Sequence, residues 1–552
     1  MPRSFWYAGW ILLFAGWTSA YNSPLALAQE PLAAVEAANE SAHDRIIAEG
    51  RVLESQQQWA DGIRHYEDAV RLYPDNATLR QRLVICRLHY DVYRRFQDTS
   101  YVATVEQISS SQALDLYSEV LSSLETNYVD RVDWAEVLRH GMASLEVALT
   151  EPAYVNRLLS AASPEQVDHF RQNVHLRVVG RSAASRHDLR AIATYISGLA
   201  RDEIGLSATA TVMEFVTGAL HSLDTYSRFL TGSQLDETFA NIEGNFVGLG
   251  VELKPLSDKL KILSVIPGGP AEQAGLKAGE YITRVEGSRT NEANPDYVAD
   301  LLRGPEQSYV SITVVDAAGV AREMNVVRRR VEVPCVDNIH MVDAESGVGY
   351  FRLTNFQRTT TRDVEKALWD LHKQGMKSLI IDVRGNPGGL LTAAVEVADR
   401  FLSNGRIVTT RGRNSRENFD YAAHRANTWT IPMAVLIDKD SASASEIFAG
   451  AIHDHRRGAL VGETSYGKGS VQGIFRMQSA KCGLCLTTAK FYSPSGQAIS
   501  DRGVIPDITV EPTYIAARPN DDGEITSDLE DSILQKAIET VRGDARLSSR
   551  PR

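Results

Sequence analysis

Two apolar runs constrain the fold more than any other feature. Leu379-Ile380-Ile381 sits inside Ser378–Val383, and Met433-Ala434-Val435-Leu436-Ile437 is apolar throughout. Short runs of this kind, bounded by turn residues, read as buried strands. A helical pattern follows each, Leu390–Leu402 after the first and Glu446–His453 after the second. Strands alternating with helices over residues 345–512 indicate an α/β domain. In open sheets of this class, ligands bind in the loops after the strands' carboxyl ends.

The chain has 552 residues. At about 150 residues per domain, that predicts three to four domains. Hydrophobic residues make up 43% and charged residues 23%, which argues against gross disorder and a multi-span membrane protein. The net charge of −12 argues against general nucleic-acid binding, which needs a basic face. Four cysteines cannot build a disulfide scaffold.

Residues 1–28 read as a secretory signal. Met1-Pro2-Arg3 is followed by an apolar stretch from Phe5 to Ala20, then by the small-x-small site Ala26-Leu27-Ala28. The expectation is an exported protein, periplasmic or otherwise extracytoplasmic. Left uncleaved, the same segment is a single membrane anchor.

Residues 29–105 read as helical. Ala48, Gly50, Leu53, Trp59, Ala60, Ile63, Tyr66, Ala69 and Pro74 fall at helix-turn-helix spacing and resemble one tetratricopeptide repeat. A plain amphipathic hairpin accounts for the same residues. A lone repeat cannot bury both faces, so this region is expected to dock on its neighbours, on a protein partner or on a second copy. Residues 106–236 are a second helical region, with an apolar stripe of Leu114, Tyr117, Val120, Leu121 and Leu124 and a helix near Thr211–Leu223. Residues 150–205 carry no motif. An acidic tail, 516–552, ends in a helix over Ser532–Val541.

At Asn245 the texture changes to strands. Phe246-Val247-Gly248-Leu249-Gly250-Val251 leads into one, followed by Gly268-Gly269-Pro270-Ala271 and Ala274-Gly275-Leu276-Lys277-Ala278-Gly279. A helix near Pro295–Leu302 and a strand over Val310–Val315 come next. Residues 237–331 resemble a PDZ domain. The resemblance implies that Val247, Gly248, Leu249, Gly250 and Val251 hold a peptide's terminal carboxylate and offer a strand edge. Glu306-Gln307-Ser308 departs from the pattern, which commonly has a second glycine in that turn.

Three junctions in the α/β region, 332–515, carry the chemistry. They are Asp382-Val383-Arg384-Gly385-Asn386-Pro387-Gly388-Gly389, Asp440-Ser441-Ala442-Ser443-Ala444-Ser445-Glu446, and Gly462 through Gln472. Gly462 to Lys468 fits the first seven positions of a phosphate loop. Gly469, however, replaces the hydroxyl residue that holds Mg²⁺, and Ser470-Val471-Gln472-Gly473 reads as a strand, so no nucleotide is expected. A serine at a strand-to-helix turn needs a base to become a nucleophile. A lysine can serve if its pKa falls by roughly three units from about 10.4.

These junctions, with Tyr492-Ser493-Pro494-Ser495-Gly496, Gly503-Val504-Ile505-Pro506-Asp507 and Leu223-Asp224/Tyr226-Ser227, resemble the carboxy-terminal processing peptidases, also called tail-specific proteases. The resemblance covers residues 112–540. It implies a Ser-Lys serine endopeptidase with an inserted PDZ domain, acting on proteins or peptides with free C-termini. By position, Ser443 is the nucleophile, Lys468 the general base, and Gln472 the residue that orients the lysine. The N–H groups of Gly389 and Ala444 form the oxyanion hole. Ser441 and Ser445 compete with Ser443, and only Ser443 occupies the family position.

His453 and His455 follow along the same helix, pointing away from the serine, so a Ser-His-Asp triad is not favoured. Cys482-Gly483-Leu484-Cys485 reads as a local disulfide or two free thiols near a hairpin turn, and Cys86 and Cys335 as unpaired. No metal or other cofactor is expected. The rival reading is a catalytically silent scaffold that binds through its repeat and PDZ regions. The fold expected is multidomain: an all-α N-terminal region, a PDZ domain of β-sandwich or barrel-like form, and an α/β peptidase core.

Overall fold

A computed structural model describes residues 32–548 except 160, 179, 257–258, 291–300, 303, 317, 425–427, 501 and 512–530. The expected signal segment lies outside the described residues. So do the helix near 295–302, save its last two residues, and the acidic stretch 520–531, save Asp531. The chain divides into two units. One holds the described residues up to Leu235 with Gln472–Thr488; the other holds Asp236–Val471 and the described residues from Ala489 onward.

The first unit is helical. Leu32–Ser55, Trp59–Leu72 and Ala77–Gln97 share a small core of Trp59, Tyr66, Ala69, Leu79, Leu83 and Cys86. The third helix starts where Asn76 Oδ1 accepts the Leu79 N–H at 3.1 Å. The helix Ala208–His221 is buried along almost its whole length. It crosses Trp134–Ala148 closely at two glycines: a Cβ on Gly218 would lie 2.7 Å from the Gly141 Cα. The larger core runs without a break from Val92, Phe96, Tyr101 and Val105 into Leu116, Leu145, Ile196 and Phe215. The end of the first helical stretch, from Val92 onward, therefore shares one core with residues 106–236. Arg95 reinforces the join: it is 5% exposed, and its Nη2 meets Glu214 Oε2 at 3.0 Å while Nη1 donates to Thr217 Oγ1 at 2.6 Å. Ser144 Oγ donates to the same Glu214 oxygen at 2.7 Å.

One boundary differs from the sequence expectation. Residues 472–488, expected within the α/β domain, pack with the helices. The physical reason is the apolar face of this hairpin: Cys482, Leu484 and Leu486 are buried in the helical core. Glu119 holds the hairpin turn by accepting the N–H groups of Gln478 and Ser479. Cys482, Cys485, Cys86 and Cys335 form no disulfide, and all four are buried. Burial pushes the Cys482 thiol up to about 12.

The second unit carries, among its sheets, one in the PDZ part and one large mixed sheet. In the PDZ part, Val251–Pro255, Leu260–Val265, Tyr281–Val285, Tyr309–Val315 and Ala321–Val327 are neighbours in that order. Leu249, Ile262, Ala271, Ile282, Val310 and Ile312 fill its core. Gln307, in the turn that lacks the usual glycine, has φ +69°. The turn thus keeps its left-handed backbone without glycine, at a cost of about 1 kcal/mol. The Gln307 N–H donating to Arg328 O at 2.8 Å helps to hold it.

The large mixed sheet runs Val336–Asp343, Val348–Leu353, Ser378–Asp382, Met433–Ile437, Ala459–Gly462, Ile508–Thr509. The first pair is antiparallel and the rest are parallel. Successive side chains of each strand enter opposite layers. Leu379, Ile381, Val435 and Ile437 face helices Thr360–Lys373, Leu391–Ala398 and Ala444–Asp454. Ile380, Ala434, Leu436 and Val461 face Ile533, Ala537, Ile538 and Val541 of helix Ser532–Ser548. The helix expected at the end of a tail packs instead on the sheet. A mostly parallel sheet needs both faces covered, and this helix covers the second.

Candidate active site

Ser443 ends the turn between strand Met433–Ile437 and helix Ala444–Asp454. Its φ of +55° places a non-glycine residue in the left-handed region, a conformation that turns sharply and concentrates at functional sites. Ser443 is half-buried. Ala444 opens the helix, so its N–H has no intrahelical acceptor.

The other serines are spoken for. Ser441 Oγ donates to Val383 O at 2.8 Å, and Ser445 Oγ to Asn386 O at 2.9 Å. Both are fully enclosed, at 1% and 0% exposure. They stitch the serine turn to the loop after strand Ser378–Asp382. Of the three serines, Ser441 and Ser445 thus have their hydroxyls bonded to backbone carbonyls.

That loop carries Gly388 and Gly389. Asn386 Oδ1 accepts the Gly388 N–H at 2.9 Å, and Asn386 O accepts the Ala442 N–H at 3.0 Å. Gly388, at φ +103°, presses on the serine turn: a Cβ there would lie 2.8 Å from both Ser443 Cβ and Ala444 N. Gly389, at φ +137°, would carry a Cβ 2.0 Å from Phe356 O. Phe356 N–H donates to Gly388 O, and Leu390 N–H to Phe356 O, which fixes the peptide planes around Gly389. Only glycine allows the loop to lie this close to Ser443.

Lys468 is half-buried in the loop after Gly462. One carboxylate fastens this loop to the serine turn. Glu446 Oε1 accepts from Ser465 Oγ and from the Gly467 N–H, both at 2.6 Å. Its Oε2 accepts the N–H groups of Ser443 and Lys468. Glu446 is 0% exposed, and burial pushes its carboxyl up against the opposing pull of these bonds. Ser465 Oγ in turn accepts the Val504 N–H at 2.6 Å, bringing in the Gly503-Val504 motif. The structuring role of Glu446 went unread in the sequence. Its position three residues after Ser443, in the first helical turn, was the available signal.

Gln472 belongs to the helical unit, where its Nε2 donates to Thr487 Oγ1 at 3.4 Å. Thr487 Oγ1 donates to Asp224 Oδ1 at 3.1 Å, and Thr487 N–H donates to Ser227 Oγ at 3.1 Å. The Leu223-Asp224/Tyr226-Ser227 motif thus anchors the strand Gly483–Tyr492. His453 pairs with Asp454 and Asp507, and His455 Nε2 bonds Arg406 O at 2.7 Å. Both imidazoles sit at the far end of the helix that Ser443 begins.

In the PDZ part, Val247 and Gly248 lie on strand Asn245–Gly248, paired with Arg329–Glu332. Leu249 is buried, and its carbonyl accepts the Ala271 N–H at 2.8 Å. Gly250 O accepts the Ile266 N–H at 2.9 Å. Val251 begins the strand at one end of the sheet order.

Residues 347–510 match peptidase family S41, and residues 261–316 match the PDZ domain family. The chain is 36% identical over 303 residues to a carboxy-terminal-processing protease of Bartonella bacilliformis, covering 54% of this chain and 68% of that one. It is 33% identical over 305 residues to a carboxyl-terminal-processing protease of Synechocystis, covering 55% and 69%. It also aligns with a solved photosystem II D1 C-terminal processing protease over 76% of this chain and 99% of that one, at 24% identity and a TM-score of 0.38. The chain belongs to the carboxy-terminal-processing proteases: it is a serine-type peptidase of family S41 that carries a PDZ domain.

Proposed function

We propose that this peptidase cuts polypeptides near their C-termini through a Ser443–Lys468 dyad. Neutral Lys468 takes the proton of Ser443 Oγ as that oxygen attacks the scissile carbonyl. The carbonyl oxygen becomes an oxyanion, held by the N–H groups of Gly389 and Ala444. Lys468 then gives its proton to the leaving amine, and the C–N bond breaks. Water, deprotonated by the same lysine, hydrolyses the acyl-enzyme ester and restores both groups. The orienting role for the amine falls to Gln472, four residues further along the chain.

The observation that carries this reading is the Glu446 carboxylate, which ties the backbone of Ser443 to that of Lys468. Two separate loops are built around one charge, as a dyad requires. The PDZ part is assigned capture of a free, mostly apolar C-terminus on Val247–Val251. Residues 1–28 are assigned to export. The N-terminal helices Leu32–Ser55 and Trp59–Leu72 are assigned to a protein partner or a second copy.

The test compares wild type, Ser443→Ala and Lys468→Ala on an unfolded protein with an apolar C-terminus, and on the same protein with that terminus amidated. Cleavage by wild type alone, slowed by amidation, is expected. Equal slow degradation by all three enzymes rejects the dyad, and indifference to amidation rejects terminus capture.

A further inference from the structure

The glycine loop is held at its far end by a clasp that the proposed chemistry does not use. Asp382 closes strand Ser378–Asp382 and is 2% exposed. Its carboxylate accepts Arg384 Nε at 3.0 Å on each oxygen, Arg384 Nη2 at 2.6 Å and the Arg384 N–H at 2.9 Å. Tyr350 Oη donates to the same carboxylate at 2.8 Å. The remaining edge of the guanidinium meets Asp531, with Nη1 to Oδ1 at 2.9 Å and Nη2 to Oδ2 at 2.7 Å. This is the bidentate geometry that makes an arginine–carboxylate pair both strong and directional.

Asp531 has a second task. It directly precedes helix Ser532–Ser548, and its Oδ1 accepts the Leu534 N–H at 3.0 Å, an N-cap. One carboxylate thus starts the helix that covers the sheet and grips the arginine that opens the glycine loop. Between Arg384 and Gly389 the chain is short and stiffly held. The Gly385 N–H donates to Asp438, and Asn386 is bonded to Leu353 and to the serine turn. A shift of Arg384 has little slack in which to dissipate.

We propose that Asp531 is a positioning residue for the peptidase reaction. Through Arg384 it sets where the 384–389 loop, and the Gly389 N–H with it, stands relative to Ser443. The inference rests on the roles assigned above to Ser443 and Gly389. An oxyanion donor acts on charge that exists only in the transition state, so misplacing it lowers kcat and leaves KM in place.

The experiment uses the full chain and the variants Asp531→Asn, Asp531→Ala, Arg384→Gln and Ser443→Ala. Asparagine caps a helix as well as aspartate does, so Asp531→Asn keeps the cap and removes the charge that grips Arg384. The expected result for Asp531→Asn is a kcat lower by roughly ten- to a hundredfold, the cost of a misplacement under 1 Å, with KM within about twofold. Adding Asp531→Asn to Arg384→Gln should lower kcat no further. A kcat for Asp531→Asn within twofold of wild type overturns the inference. So does a kcat loss in Asp531→Ala that Asp531→Asn does not share, because that loss belongs to the cap. Ser443→Ala separates the two levels. If it retains activity, the reading of the site fails. If it is inactive while Asp531→Asn is fully active, only the positioning role fails.

Discussion

The backbone N–H groups of Ser443 and Lys468 donate to the same oxygen, Glu446 Oε2, at 2.8 and 2.9 Å. Those residues lie on different loops, and neither loop is held to the other by apolar packing alone. Their separation is set by an acceptor that has lost its water. Replacing the carboxylate by an amide turns one acceptor into a donor, facing N–H groups it cannot satisfy. Glu446→Gln should therefore leave at least one buried donor unpaired and cost about 1–3 kcal/mol. Peptidase activity should fall by more than the stability loss explains, on the order of a hundredfold. Urea unfolding and cleavage of an unfolded protein, measured on one preparation, test both statements.

Gly388→Ala probes how closely the glycine loop approaches the serine turn. The added Cβ would meet Ala442 O at 2.7 Å and Ser443 Cβ at 2.8 Å, on a backbone with φ +103°. Strain and overlap together should cost about 2–4 kcal/mol. A covalent serine-directed inhibitor should label the variant at least tenfold more slowly than wild type, given the order-of-magnitude weight of an oxyanion donor.

The buried pair Arg95–Glu214 offers an independent test in the helical unit. Arg95→Met alone strands the Glu214 carboxylate, which is 0% exposed, and should cost about 3–5 kcal/mol. Arg95→Met with Glu214→Leu removes both charges and should recover most of that loss. Thermal melts of the two single variants and the double variant give the coupling directly.

Two glycines in neighbouring helices should respond with opposite signs. Gly218→Ala puts a Cβ 2.7 Å from the Gly141 Cα and should destabilise by about 1–3 kcal/mol. Gly198→Ala, within helix Arg186–Ile204, meets nothing within 4 Å and should stabilise by roughly 0.5–1 kcal/mol. Parallel chemical denaturation of both variants checks the contrast.

The pH dependence of the clasp has a defined sign. Burial would raise the Asp531 carboxyl, but its bonds to Arg384 outweigh that and hold it below the ordinary aspartate value. A depressed value in the folded state means that the unfolded chain binds the proton more readily. The clasp's contribution is complete above the ordinary value of about 3.9 and is lost as pH falls through the folded value. Melting temperatures from pH 7 down to pH 3 should fall more steeply for wild type than for Asp531→Asn. Parallel curves would remove Asp531 from the acid transition.

What could be read from the sequence was what lies close along the chain. The runs at Leu379–Ile381 and Met433–Ile437 announced buried strands, and the glycine- and serine-rich junctions marked the loops that carry the site. Composition could not show that Ser441 and Ser445 bond their hydroxyls to carbonyls of a distant loop. Gln307 hid a left-handed turn because only its backbone matches the pattern. The hairpin 472–488 was placed with the sheet because its strand pattern suits either neighbour; the apolar face of Cys482, Leu484 and Leu486 decides for the helices. Asp531 lies 147 residues from Arg384, and no periodicity links the two.

Helix Ser532–Ser548 is the last stretch of chain that the structure describes, and it completes the sheet. During synthesis, the strands, the serine turn and the lysine loop all leave the ribosome before it does. Until it arrives, Tyr350, Ile380, Ala434 and Leu436 face water, and Arg384 lacks Asp531. A nascent chain therefore carries Ser443 and Lys468 before the sheet that bears their loops is covered on both faces.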